Sequence, residues 1–441
     1  MFATATYLTF FLLSHLLKRH LWINQVLWCT AIGVCLGPYA FAWVQPRTDG
    51  MFHVIHLQEA ARYAIAIQVV ASAMALPRGW FRRHWKEVAW LVGPIMLVTS
   101  AFVWGVAVGL FSHTGGVHWP EILALAAALA PPDPVVVGTL VRGKFAQAHV
   151  AEPLRNLLNA ESSVGSGIAY VYFRLALMLS IHHDESVGRA FAIWGWRCVA
   201  AEALGAVVAG LVLGYLLATV SNVSRKWDWM DQDDEMMVMM PAMALTLNAV
   251  DGYGGDGAMA VFVMGTMVNE WGGDTTTVAE HHEHTTDTMD SLGLALFFVY
   301  FGATSVQWSV LPRYGIAKLV GFSLLVTLAR RLIIIPLVAH WLLPSQRYSD
   351  QQGTERWFLN AVMLAVYAPV GAATVFMSAM FYLETGQREV LDISTFVVLV
   401  SIVLFGVLSV PVAKAKQRWE KKVAGVEQAI RSDSLTGSRS V

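Results

Sequence analysis

Apolar residues in this chain fall in long uninterrupted blocks, many of them close to the roughly 20 residues an α-helix needs to cross a hydrocarbon core. The blocks run near 3–17, 22–44, 58–76, 87–111, 121–141, 157–181, 194–220, 236–250, 254–270, 291–311, 315–343, 357–382 and 392–413. Composition agrees: 56% of the 441 residues are hydrophobic and 14% are charged, against about 25% charged in a soluble chain. The pattern predicts an all-α polytopic membrane protein of about 13 transmembrane helices and excludes an ordinary soluble enzyme. The first block starts almost at Met1 without a basic stretch before it, so it reads as a span rather than a cleavable leader.

Basic residues set the orientation, because they collect in short cytoplasmic loops. With an inside C-terminus the cytoplasmic loops hold Lys18 and Arg19, then Arg78, Arg82, Arg83 and Lys86, then Arg142, Lys144 and Arg155, then Arg225 and Lys226. The outer loops of that half hold Arg47 and Arg189. Lys414, Lys416, Arg418, Lys421 and Lys422 alternate with Trp419, Val423, Val426 and Ile430, which suits either a basic amphipathic helix on the inner leaflet or a solvated polar tail. Ser432 to Val441 reads as unstructured. A net charge of −1 gives no reason to expect a nucleic-acid partner, and Cys29, Cys35 and Cys198 offer no disulfide framework.

Two of the blocks carry sequence that an unbroken helix does not tolerate. Pro131-Pro132-Asp133-Pro134 in the fifth removes three backbone donors, and Ala368-Pro369-Val370-Gly371 in the twelfth does so more mildly. Pro132, Pro134, Pro369 and Gly371 therefore mark helix breaks. The breaks are seven segments apart, so the two segments run through the bilayer in opposite senses. Six spans, a linker span and six more would produce that spacing as an inverted repeat with two broken, crossing helices. The expected division is 1–220 for the first repeat plus linker helix, 221–413 for the second repeat, and 414–441 for a short basic cytoplasmic tail.

Charges inside apolar blocks are the second signal, since each costs on the order of 3 kcal/mol at the centre of a span. Asp133, Glu161, Arg174, Glu202, Arg330 and Arg331 are such charges. Glu161 with Arg330 or Arg331 reads as a structural ion pair, whereas Asp133 sits at a break.

These residues resemble the fungal plasma-membrane sodium/proton antiporters, within the monovalent cation:proton antiporter superfamily. The matching strings are Gly37-Pro38, Leu76-Pro77-Arg78 with His84-Trp85, Asp133-Pro134, Gly143-Lys144-Phe145-Ala146-Gln147, Leu154-Arg155-Asn156-Leu157-Leu158, Ala160-Glu161-Ser162, Glu202, Tyr300-Phe301-Gly302-Ala303 with Trp308, Arg330-Arg331, and Pro369 with Gly371. The resemblance implies a six-helix core domain moving against a dimerisation domain, a homodimer, and residence in the plasma membrane or an internal membrane. It also implies one carboxylate that holds either a proton or a cation. The family carries that carboxylate in an Asn-Asp pair four and five residues after the Glu-Ser. Here those places are Gly165 and Ser166. The family's threonine before Asp133 is Pro132, the acid of its Glu-Leu-Pro is Ala75, and Arg174 stands at a usually apolar position.

The expectation is a transporter, not an enzyme, that exchanges sodium, potassium or lithium for protons without a resident cofactor or metal. Asp133 would titrate, with Ser166 and Asn159 as neutral ligands and with Arg174 and Glu202 as modulators. The alternative is a homologue that keeps the scaffold without transporting, or with another substrate. Gly165-Ser166-Gly167 lacks the pattern and the neighbouring base of a serine hydrolase. Glu280-His281-His282-Glu283-His284 reads as a solvated loop, and Asp251-Gly252-Tyr253-Gly254-Gly255-Asp256 as a polar turn between spans, although the family has acids near Asp251.

Overall fold

The computed structural model describes residues 25–38, 40–43, 50–112, 118–142, 150–182, 186–227, 229, 232–272, 278–305, 310–336 and 361–437. The block 3–17, with Lys18 and Arg19, lies outside them, as do Arg47, the Gly143–Gln147 string and Trp308. All regular elements among the described residues are helices, as expected where lipid offers the backbone no hydrogen bonds.

In chain order they are α1 (Gln25–Leu36), α2 (Gly50–Ala75), α3 (Trp80–Phe111), α4 (Trp119–Leu129), α5 (Pro134–Val141), α6 (Glu152–Ile181), α7 (Val187–Lys226) and α8 (Gln232–Gly252). They continue with α9 (Gly257–Trp271), α10 (Val278–Ser305), a short turn at Val310–Tyr314, α11 (Ile316–Pro336), α12 (361–366), α13 (Ala372–Thr385) and α14 (Glu389–Gly437). Six segments are long and apolar enough to span a membrane by themselves: α3, α4 with α5, α6, α7, α11, and Glu389–Leu408 of α14. α2 is not among them. It carries Gln58, Glu59 and Arg62 along one side, and these residues line a cavity described below.

Three long helices widen into π turns at Leu91–Ile95, Trp194–Ala203 and Leu325–Ala329. The first contains Pro94, whose missing donor a wider turn accommodates. Two expectations are corrected. Glu280–His284 belongs to α10 rather than to a loop, and α14 runs on through the basic stretch to Gly437, so Ser432–Gly437 is helical.

Helices pack closely where glycine removes the side chain, a device that serves in lipid because apolar burial alone does not drive helices together. Gly33 of α1 meets Gly302 of α10, and a Cβ on Gly33 would sit 2.2 Å from the Val299 carbonyl oxygen. Gly210 and Gly214 of α7 seat that helix on α9; a Cβ on Gly210 would come 2.5 Å from the Ala260 carbonyl oxygen. α9 in turn packs against α2 and α6, which fixes its N-terminus beside the middle of α6. The broken segments lie at the centre, with 89% of the α4–α5 span buried.

Candidate functional site

A broken helix frees amides and carbonyls that lipid cannot satisfy, so the crossing must satisfy them itself. Asp133 is the N-cap of α5, its Oδ2 accepting the Val136 amide at 2.9 Å, while its Oδ1 accepts the Ala373 amide of α13 at 2.8 Å. One carboxylate thus faces the positive ends of two half-helices, the arrangement the helix dipole favours. The Asp133 amide donates to the Pro369 carbonyl at 2.9 Å, and the Val370 amide donates to Ser401 Oγ at 3.1 Å. At the opposite ends Arg330 donates to the carbonyls of Leu129, Ala130 (2.8 Å) and Ala368 (2.9 Å), at and just beyond the C-terminal ends of α4 and α12. A buried anion and a buried cation therefore balance four half-helix ends. Gly371 is required by close approach, since a Cβ there would lie 2.6 Å from Asp133 Oδ2.

The ion pair expected for Glu161 is made with Arg331, both side chains 1% exposed. Of the two arginines offered, Arg330 serves the carbonyls of the breaks. Neighbouring residues on a helix point about 100° apart, so two adjacent arginines reach two different targets. Asn159 donates to the Ser72 carbonyl at 3.0 Å. It lies two helical turns from Ser166, roughly 10 Å along α6, so the structure separates these two candidates.

Two departures from the family pattern meet in space. A Cβ on Gly165 would lie 3.7 Å from Pro132 Cδ and 4.0 Å from Pro131 Cβ. These are ordinary van der Waals distances, so the proline run packs directly against α6 at Gly165. Arg174 makes a bidentate bond to Glu202 at 3.1 and 2.8 Å, and Arg197 adds a third contact to the same carboxylate at 3.2 Å. The charge of Arg174, two turns beyond Ser166 on α6, is thereby engaged by Glu202.

A cavity of about 190 Å³ reaches from the Glu59, Arg62 and Asp251 side chains to Ser166, Asp256 and Ala373, with Tyr170 and Met377 among its walls. With the C-terminus inside, its mouth lies at the outer ends of α2, α8 and α9. Asp251 and Asp256 flank the turn expected between spans, in which Gly254 has φ +85°, a value glycine adopts without strain. Sequence reasoning left both acids to that turn. The Asp256 carboxylate nevertheless reaches the flank of α6, because a Cβ on Gly167 would stand 3.0 Å from its Oδ2. The available signal was the family's acids near Asp251; the missing one was that the turn folds back against α6.

Two discontinuous helices that cross with balanced ends, beside a cavity leading to the crossing, define a membrane protein of the secondary-transporter architecture. The chain belongs to the sodium/hydrogen exchanger family: the family model for the exchanger's transmembrane part matches residues 4–415. It is 27% identical over 376 residues to Na(+)/H(+) antiporter 2 of Zygosaccharomyces rouxii, covering 83% of this chain and 44% of that protein. It is 26% identical over 392 residues to the Na(+)/H(+) antiporter of Saccharomyces cerevisiae, covering 86% of this chain and 37% of that protein. The chain thus spans less than half the length of these curated relatives. The structure of the sodium proton antiporter MjNhaP1 from Methanocaldococcus jannaschii superposes with a TM-score of 0.65 at 19% identity, over 94% of this chain and 98% of that one, which shows the fold.

Proposed function

We propose that the chain exchanges a monovalent cation, sodium or else potassium or lithium, for protons across a membrane by alternating access. The observation that carries this reading is the charge-balanced crossing beside a cavity that ends at Ser166. A broken-helix crossing held by one anion and one cation can rock as a unit without exposing unpaired backbone to lipid. Asp133 and Ser166 stand at or beside the crossing, Asn159 stands on its inner side, and Glu161 with Arg331 braces the core. The organisation into two inverted repeats, 1–220 and 221–413, is part of the same proposal. It is supported by the way Asp133 receives amides from the N-termini of both α5 and α13. The homodimer, the plasma-membrane location and the cytoplasmic place of 414–441 are carried over from the resemblance.

The test is flux. Vesicles containing the purified chain and a trapped pH dye should change internal pH on external addition of sodium, potassium or lithium. Silence with all three ions from pH 6 to 9 would leave the second reading, a scaffold kept without exchange, which Gly165 and Ser166 favour by removing the carboxylate from α6.

A further inference from the structure

We infer that Asp256 supplies the anionic ligand of a monovalent-cation site in the outer cavity, across from Ser166, replacing from α9 the carboxylate that α6 lacks. The inference rests on the exchange reading and names the ligand of that site. Three carboxylates line the cavity: Glu59, Asp251 and Asp256. Glu59 and Asp251 share Arg62, at 2.6 and 2.5 Å, and Asp251 Oδ1 also accepts the Gly257 amide at 3.2 Å. Asp256 is 5% exposed, and its Oδ1 accepts the Met259 amide at 3.0 Å. Its Oδ2 has no hydrogen-bond partner among the described residues, although it is buried. That oxygen is turned toward the bare backbone of Gly167, next to Ser166.

A buried anionic oxygen without a partner is costly, and a cation in the adjoining cavity removes the cost. The Ser166 hydroxyl spends its hydrogen on the Ser162 carbonyl at 2.9 Å, which leaves oxygen lone pairs for a cation. A hydroxyl and one carboxylate oxygen are the hard oxygen donors that alkali ions accept, and a single free negative charge balances a single positive one. Arg62 holds the two outer acids, so that they neither compete for the ion nor leave a mobile guanidinium to fill its place. Asp133, whose oxygens are both engaged by half-helix amides, then braces the crossing while Asp256 meets the ion.

Asp256→Asn separates charge from structure, because asparagine caps a helix as well as aspartate does. The full chain, purified in detergent and in vesicles, is compared with Asp256→Asn and with Asp256→Asn/Ser166→Asp. Two readouts are used: the sodium-dependent rise in unfolding temperature and sodium-driven pH change. The parent should respond in both. Asp256→Asn should need about tenfold more sodium or lose the response, and the double variant should regain it by placing the acid on α6. A parent that exchanges sodium, with Asp256→Asn unchanged, overturns this inference alone. The same readouts are taken with potassium and lithium. A parent that is silent in flux with all three ions but stabilised by one of them only when Asp256 is present overturns the exchange reading and supports the site. No effect of either kind with any of the three ions in the parent overturns both. If Asp256→Asn does not fold, Gly167→Ala reads the same place, since its methyl group presses on Oδ2; an unchanged sodium response there overturns the inference.

Discussion

Glu161 and Arg331 set the residue scale, because each is a full charge with 1% of its side chain exposed. Removing one partner of such a pair strands the other in a medium that cannot solvate it, at a cost of about 3–5 kcal/mol. Glu161→Ala and Arg331→Ala should each lower the unfolding temperature sharply, and Glu161→Leu/Arg331→Met should lower it much less. A loss in the double variant equal to the sum of the two single losses, measured by thermal unfolding in detergent, would mean that the pair is not coupled. Gly371 makes the same point sterically. Gly371→Ala puts a methyl group 2.6 Å from Asp133 Oδ2, and the displaced carboxylate should cost about 1–3 kcal/mol; an unaltered unfolding temperature would contradict the close approach.

At the scale of elements, breaks, π turns and glycine contacts decide how the helices meet. The Pro-Pro-Asp-Pro run announces a break from sequence alone, since three missing donors leave no helical alternative. Where the freed groups go is not written locally: Asp133 reaches the Ala373 amide and Arg330 the Leu129 carbonyl, each more than two hundred residues away in the chain. The contact between Gly165 and Pro132 yields a prediction of this scale. Gly165→Asn alone adds polar bulk beside the proline run, which already stands in van der Waals contact there, and should destabilise this contact by about 1–3 kcal/mol. Gly165→Asn with Pro132→Thr should recover most of that loss, and additive destabilisation in the double variant would show that the two sites are independent.

For the whole molecule, the question is which side of the membrane the cavity faces. The basic loops put the mouth formed by Glu59, Arg62 and Asp251 outside. With Cys35, the exposed cysteine, replaced by serine, Met377→Cys should react with a membrane-impermeant thiol reagent added outside, and Asn159→Cys should not. Labelling of Asn159→Cys from outside, with Met377→Cys protected, would invert the orientation. On the proposed exchange reading, a cavity open at one end beside a crossing closed by Arg330 and Asp133 would be one of the two states that alternating access requires.

The sequence by itself determined the membrane, the helical class, the two breaks and the buried charges, because hydrophobic block length and missing backbone donors act within a few residues of where they are written. It also exposed the missing Asn-Asp pair, by its resemblance to a family. Tertiary structure alone decided which arginine pairs with Glu161, that Arg174 is held by Glu202, that Pro132 packs beside Gly165, and that Asp256 turns its carboxylate onto α6. Each of these depends on helices distant in the chain being brought within a few ångströms. Buried charges choose partners by distance and desolvation, quantities that the order of residues does not contain.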